Sequence, residues 1–472
     1  MRAIQRSLGL ISIVFLARLL EPADFGVIAV ISVVIAFVEI LGDTGSRQYI
    51  AQLGTIDRGH VDTAWTLDLV LKLALWSLLL VAAPLVSQYF ESKDLVDALR
   101  SISVVVPIKA LFNPGLHLAR RNLDYSPILK LHTIQRLVSF ACSITLALLL
   151  QSYWALIIAH VVANLVGLFG SYVVNDFRPR LSLKRVGEQW SFSKWMLSKG
   201  FLGFARAQID TVLVGRLFGL ELLGKYEVIR DVSTLPAVDV ITPAVDPMVA
   251  SLSRLRSDRV GMRNQFCLAL VMICAFVTPI LVYISVRSPQ IVGVILGQKF
   301  SGHGHLMSAM PALLLSFAFN GLLASTLLAL QRVRALFVYD ALSLAFVLGT
   351  LLLLNPQDLF AFASARGASG LFAALILLLI LCRNLGIGLM AVVRILAVPS
   401  LVAGPIMLAL TFVHEPVTTS LVALLAEGCG FSLAYVALLF GIAHGGRRWV
   451  PELYKVGELL IALLSRGLKQ GR

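Results

Sequence analysis

Apolar residues run along this chain in long blocks, and polar positions gather in short clusters between them. Fourteen blocks approach the length that crosses a bilayer, whose hydrocarbon core of about 30 Å takes roughly 20 helical residues. They fall near 3–20, 25–42, 63–87, 95–118, 126–150, 153–175, 194–215, 225–249, 264–286, 306–330, 335–354, 359–382, 391–413 and 418–443. In lipid every backbone polar group must be satisfied internally, so the pattern predicts an all-α polytopic membrane protein. The blocks at 95–118 and 225–249 carry charges and prolines within their apolar runs. Prolines inside spans (Pro107, Pro114, Pro236, Pro243, Pro247, Pro279, Pro311 and Pro405) predict kinks.

Composition agrees. The chain is 58% hydrophobic and 14% charged, with a mean hydropathy of +0.87, against about 25% charged residues in a soluble domain. A net charge of +14 would suggest nucleic acid in a soluble chain, but here the placement of charge says more than its sum. With the N-terminus on the cytoplasmic side, 26 of the 40 Lys and Arg residues fall on that side and seven lie within spans. The opposite side holds Arg18, Lys93, Arg216, Lys225, Arg287, Lys299 and Arg366. This asymmetry predicts both termini in the cytoplasm. Arg2 and Arg6 precede the first apolar block, and no small-x-small cleavage site follows, so that block reads as a retained helix.

One short stretch recurs. Residues 17–26 read ARLLEPADFG and residues 215–224 read GRLFGLELLG, aligning Arg18 with Arg216, Leu19 with Leu217 and Gly26 with Gly224. A constant offset at matching positions reads as an internal duplication. Six spans separate the copies, so the halves are parallel repeats related by an axis along the membrane normal. The organisation that follows is a six-helix lobe over 1–175, a cytoplasmic linker over 176–193 and a second six-helix lobe over 194–385. Two extra helices then occupy 386–446, and an amphipathic cytoplasmic tail runs over 447–472. Glu21-Pro22-Ala23-Asp24 reads as a turn with an acidic cap for the second helix.

Ionisable residues inside spans are costly, about 2.5–3.5 kcal/mol each on a lenient scale, and mark function. The basic ones are Lys72, Arg100, Lys109, Arg136, Lys199, Arg206 and Arg230. Arg100 and Arg230 lie close enough to span ends to snorkel. Asp68 with Lys72, and Arg206 with Asp210, stand at i, i+4 spacing on one helix face. They read either as buried ion pairs or as parts of a polar inner surface. Lys109, Arg136 and Lys199 have no acid within four residues, which points to a cavity for an anionic ligand. Asp239 and Asp246 share a face of the eighth span and are candidates for ion coupling; Glu39, Asp231, Asp340 and Glu427 are the other acids in or near spans.

No metal site is indicated. The five cysteines lie in apolar runs without C-x-x-C spacing. His303 and His305 have no third ligand in sight, and His117, His132 and His160 read as polar packing residues. No nucleophile elbow, phosphate loop or long outer loop for an extramembrane active site is present.

The run Arg18-Leu19-Leu20-Glu21-Pro22-Ala23-Asp24-Phe25-Gly26 resembles the first outer turn of Wzx-type polysaccharide flippases, relatives of the MurJ lipid II flippases and MATE exporters. The second half agrees at Asp210, at Gly215-Arg216-Leu217-Phe218-Gly219, at Leu223-Gly224-Lys225-Tyr226 and at Gly297. The chain departs from the family in its short leader and in a plainer turn at 358–370. The resemblance implies a MATE-like fold with no enzymatic step and no cofactor, in a bacterial inner membrane. It also implies transport of a polyprenyl-pyrophosphate-linked oligosaccharide to the outer leaflet for surface polysaccharide synthesis. Partners would be that substrate, membrane lipids and polysaccharide polymerase or export proteins, with no nucleic acid. On this reading Lys72, Lys109, Arg136, Lys199 and Arg206 line the substrate cavity, and Asp68, Asp210, Asp239 and Asp246 pair or couple. Arg18, Asp24, Gly26, Arg216 and Gly224 form the structural signature. A drug exporter would want an acidic cavity, a glycosyltransferase, polymerase or ligase a catalytic loop, and a scaffold no accessible cations within the membrane.

Overall fold

The computed structural model describes residues 2–236, 252, 255, 258–412 and 420–445. Among them the regular structure is helical, and ten segments are long and apolar enough to cross a membrane. The protein is therefore a multi-pass membrane protein. Two compact units divide the chain, residues 1–228 and 229–472.

The first unit opens with α1 (Arg2–Leu19) and α2 (Pro22–Leu41). Pro22 stands at the first helical position, where its missing N–H costs nothing. Asp24 Oδ2 accepts from the Glu21 amide at 2.9 Å. Asp24 Oδ1 accepts from the Tyr153 amide at 3.0 Å, so the acidic cap also ties this turn to the start of a later helix. Next come α3 (Ser46–Gln52) and α4 (Arg58–Tyr89), the latter capped by Asp57, which accepts from the His60 amide at 2.9 Å.

The block expected as one span at 95–118 is instead three short helices: α5 (Asp94–Ser103), α6 (Val105–Ala110) and α7 (Gly115–Arg121). Asn113 explains the break after α6. It is 2% exposed; its Nδ2 donates to the carbonyls of Asn175 and Phe177, and its Oδ1 accepts from the Gly115 amide. A side chain that replaces helical partners in this way stops the helix and fixes the turn. Two long helices follow, α8 (Ser126–Leu150) and α9 (Trp154–Val173).

The last helix of the first unit is α10 (Val186–Leu235), which is broken at Gly219, where φ is +80° and ψ 174°. Only glycine takes that conformation readily. The break lies inside the second copy of the repeated stretch. Beyond it the chain returns to α2, and Gly224 meets Gly26: a Cβ on Gly26 would sit 1.8 Å from the Leu220 carbonyl oxygen, and one on Gly224 would sit 1.7 Å from that of Pro22. The two glycines that the sequence offset relates are thus in contact. Arg216, the partner of Arg18 in the offset, donates to the Tyr89 carbonyl at 3.0 Å, pairs with Glu91, and lies over the Tyr89 ring. Arg18 is exposed.

The second unit contains α11 (Arg259–Leu296), α12 (Pro311–Ala329), α13 (Val333–Leu354), α14 (Leu359–Asn384), α15 (Leu389–Phe412) and α16 (Leu421–Gly445). Asp258 caps α11 and Asp358 caps α14 through their carboxylates. Pro311 begins α12 at its first position, so it starts a helix and kinks none. Arg287 and Arg366, expected between spans, lie inside α11 and α14 and are 6% and 5% exposed. Arg287 donates through Nε to Glu427 at 2.9 Å, and Tyr283 OH donates to the Leu424 carbonyl at 2.8 Å, joining α11 to α16. The expected tail at 447–472, and Pro243 and Pro247, lie outside the described residues.

Candidate functional site

Within the first unit α4, α6, α7, α8 and the α2–α3 turn enclose a cavity of about 470 Å³. Its polar wall begins at the turn. Gly45 adopts φ +72°, and its amide donates to Asp43 Oδ1 at 3.0 Å. That turn directs Arg47 to the cavity. On α4, Trp65, Asp68 and Lys72 stand at spacings of three and four, so one helix face presents all three. Lys109 comes from α6, and His117 and Arg120, three apart, from α7. Across from them α8 supplies Ile128, Leu131, His132 and Gln135, and α9 supplies Asn164.

Four cations line this space, Arg47, Lys72, Lys109 and Arg120, with Asp43 and Asp68 as the lining acids. Lys109 lacks a local acid but not a partner: its ammonium pairs with Glu39 of α2, seventy residues away. That corrects its reading as an unpaired cation. Arg47, Lys72 and Arg120 are different, since no ion pair or side-chain hydrogen bond holds them to the described residues. The i, i+4 spacing of Asp68 and Lys72 likewise produces no salt bridge within 4 Å. Asp68 Oδ1 instead accepts from the hydroxyls of Thr44 and Ser46, the latter at 3.0 Å.

Other expected site residues are elsewhere. Arg136 is exposed and does not line the cavity; its guanidinium lies against α1, 2.8 Å from where a Cβ on Gly9 would stand. Arg206 and Asp210 sit on α10, outside this cavity. Asp210 is 1% exposed and accepts from Tyr226 OH at 3.1 Å across the Gly219 break. The side chain of Lys199, and all of Asp239 and Asp246, lie outside the described residues. Sequence reading missed Arg47 and Arg120, which it assigned to loops, and took His117 and His132 for packing. The signal available was the i, i+3 spacing of His117 and Arg120 behind a proline. Among the described residues no three His, Cys, Asp or Glu side chains gather as a metal site.

These helices and the cation-lined cavity belong to a multi-pass membrane protein, and comparison with solved structures shows its fold. A lipid II flippase MurJ in an inward closed conformation superposes with a TM-score of 0.76 over 93% of this chain and 97% of that one, at 13% identity. An inward-facing multidrug resistance MATE family transporter of the MOP superfamily gives 0.65 over 81% and 94%, also at 13% identity. The profile of the polysaccharide biosynthesis protein family matches residues 15–303, and the chain belongs to that family.

Two curated relatives fit the same picture. The lipopolysaccharide biosynthesis protein WzxC of Escherichia coli (strain K12) is 22% identical over 71% of this chain and 68% of that protein. The succinoglycan biosynthesis transport protein ExoT of Rhizobium meliloti (strain 1021) is 26% identical over 53% and 51%. The chain thus spans about half to two thirds of the length of the curated relatives it matches.

Proposed function

We infer that this protein flips an oligosaccharide carried on a polyprenyl pyrophosphate from the inner to the outer leaflet of a bacterial inner membrane, for surface polysaccharide synthesis. The observation that carries the reading is the group of three cations, Arg47, Lys72 and Arg120, that line one cavity without an ion-pair partner among the described residues. A pyrophosphate brings negative charge and several acceptor oxygens, and two guanidinium forks with an ammonium suit it. A drug exporter for organic cations would repel its cargo from such a wall. With both termini cytoplasmic, the α2–α3 turn and α7 lie towards the inner leaflet, where the substrate is made.

Alternating access follows as the mechanism. Two lobes, 1–175 and 194–385, joined by the linker at 176–193, rock so that the cavity of the first opens to one leaflet and then the other, and the lipid tail stays in the bilayer. The residues assigned here bind and release; no bond in the substrate changes, so the protein is a transporter and no enzyme. Arg206, Asp210 and Lys199 join the site in another state of the cycle on this reading.

Complementation of a flippase-null bacterial strain tests it. Lipid-linked oligosaccharide should accumulate on the inner leaflet and be cleared by this chain. Oligosaccharide that reaches the outer leaflet without the chain but stays unpolymerised would overturn the reading in favour of an enzyme of the same pathway.

A further inference from the structure

Another cavity lies wholly within the second unit, a groove of about 680 Å³ between α13 and α14. Arg334, Val338, Leu342 and Phe346 stand four residues apart on α13 and so share one helix face. From α14 come Ala373, Ile376 and Ile380. The small side chains of Ser343 and Ala373, both buried, form the floor, while Val338, Leu342, Ile376 and Ile380 are exposed and form the walls. Phe346 stacks on Phe372 with ring centroids 5.3 Å apart, bridging the two helices at one end.

The other end is basic. Phe346 meets Phe372 while Arg334 shares the groove with Ile380, so the helices run antiparallel and the start of α13 lies beside the end of α14. Arg332, Arg334 and Arg383 therefore gather at that end, and all three are exposed. No ion pair or side-chain hydrogen bond holds them to the described residues. Acids are scarce around them: no Asp or Glu occurs from 259 to 339 or from 359 to 414, and Asp340 and Asp358 do not line the groove. With both termini in the cytoplasm, as the charge asymmetry predicts, this end meets the inner leaflet. An arginine at a span end snorkels to the interface with or without a ligand; here the cluster stands over the mouth of an apolar groove.

We propose that this groove holds one acyl chain of an anionic glycerophospholipid, with the lipid phosphate on Arg332, Arg334 and Arg383. Length supports a lipid chain. Twelve residues of helix separate Arg334 from Phe346, about 18 Å at about 1.5 Å each. One leaflet of a hydrocarbon core about 30 Å thick is about 15 Å deep, so a chain whose phosphate lies at the arginines ends near the phenylalanine pair. Charge selects the head group. Basic pockets between membrane helices on the cytoplasmic side favour anionic lipids, and guanidinium forks match phosphate oxygens in pairs. A zwitterionic head group brings its own ammonium to the same three cations, and a neutral polyprenol chain leaves them unanswered. The bound lipid fills the cleft between α13 and α14 and offsets the repulsion among the arginines. The site does not depend on the cavity of the first unit or on the transport reading.

The test is native mass spectrometry of the purified full-length protein in a neutral detergent, titrated with phosphatidylglycerol or with phosphatidylcholine of the same acyl chains. One saturable phosphatidylglycerol site is expected, at least tenfold tighter than phosphatidylcholine. Arg334→Gln should weaken it about fivefold, the usual worth of one basic residue facing an anionic lipid, and the triple variant with Arg332→Gln and Arg383→Gln about a hundredfold. Ala335→Trp lies on the exposed groove lining beside Arg334 and leaves the charge intact; it should weaken binding severalfold by narrowing the groove. Arg47→Gln with Arg120→Gln should leave it unchanged. Equal affinity for the two lipids, or unchanged binding in the triple arginine variant, would overturn the site. So would loss of binding in the Arg47→Gln, Arg120→Gln variant, which would put the lipid in the cavity of the first unit. A neutral polyprenol that displaces phosphatidylglycerol equally well with and without the three arginines would give the groove to a polyprenyl chain instead.

Discussion

Gly26 and Gly224 offer a sharp test of the first unit, because the contact they make leaves no room for a methyl group. The perturbation is Gly26→Ala or Gly224→Ala. In the first, the new Cβ would stand 1.8 Å from a backbone oxygen of Leu220; in the second, 1.7 Å from that of Pro22 and 2.8 Å from the Gly26 nitrogen. Non-bonded heavy atoms want roughly 3.5 Å, so the two helical segments must part by about 1.5 Å. The obstacle is backbone in both cases, so no rotamer change relieves it. Small residues let membrane helices approach this closely, and packing rather than water drives that approach.

Overpacking of this kind typically costs about 1–3 kcal/mol, and a backbone clash belongs at the upper end. At about 2–4 °C per kcal/mol for a unit of this size, each variant should melt roughly 6–12 °C below the wild type. The assay is thermal unfolding of the detergent-solubilised protein, followed by size-exclusion chromatography. Gly203→Ala is the control: it lies in the same helix as Gly224, and a Cβ there meets nothing within 4 Å among the described residues. Its gain in helix propensity should leave stability unchanged or raised by up to about 1 kcal/mol. Wild-type melting in Gly26→Ala and Gly224→Ala would refute the close crossing. So would a double alanine variant that loses twice the single loss, since one separation accommodates both methyl groups and the effects should overlap.

Arg47→Ala and Arg120→Ala should each weaken binding of a polyprenyl pyrophosphate by roughly tenfold to a hundredfold, the worth of a charge-assisted hydrogen bond of about 1.5–3 kcal/mol; equal affinity by calorimetry would remove them from the site. Glu427→Ala should cost about 3–5 kcal/mol, since it strands Arg287, 6% exposed, without its partner; thermal unfolding reads this, and Glu427→Ala combined with Arg287→Leu should recover most of it. The Asp57 carboxyl is held at about 2, below its usual 3.8, first by the His60 amide and then by Arg185. A lowered carboxylate stabilises the fold above its unfolded value, and that contribution drains away as pH falls from 3.8 towards about 2. The stability gap between wild type and Asp57→Asn should therefore be constant near neutrality and close over that window; a gap that persists below it would show that the cap owes nothing to charge.

Much of this architecture is legible in the hydropathy of the chain, because lipid imposes a length and a polarity on every span. The helices α8, α9 and α11 to α16 lie where the apolar blocks lie, whereas α10 runs from one expected block through the turn into the next. The failures are local and share a cause. At 95–118 the apolar run reads as a span, but the Asn113 side chain donates to carbonyls some sixty positions away, and a window average cannot see a partner at that distance. Lys109 and Glu39 fail in the same way: each looks alone in sequence, and the fold joins them. Arg47 and Arg120 were hidden by the opposite effect, since a cation near a span end looks like an anchor at the interface. The glycine pair was half visible. The offset marked Gly26 and Gly224 as equivalent, while their contact depends on the left-handed turn at Gly219.

Cations within the first unit fall into two kinds, and the difference bears on what the cavity is for. Arg121 donates to the carbonyls of Ile50 and Gly54, Arg216 to that of Tyr89, and Lys225 pairs with Glu221 at 2.7 Å. These groups have spent their hydrogen bonds on the fold, and removing one leaves carbonyls or a carboxylate behind. Arg47, Lys72 and Arg120 hold no such partner among the described residues. They repel one another, and an arrangement that keeps like charges around one space raises the energy of the empty state. The lining acids Asp43 and Asp68 offset part of that energy, and an anion that enters the space returns more of it. A ligand with several negative oxygens returns more of it than a single carboxylate does. On the flippase reading proposed above, the cavity should therefore prefer a diphosphate head group to a monoanionic lipid, and that preference should weaken in step with each cation removed.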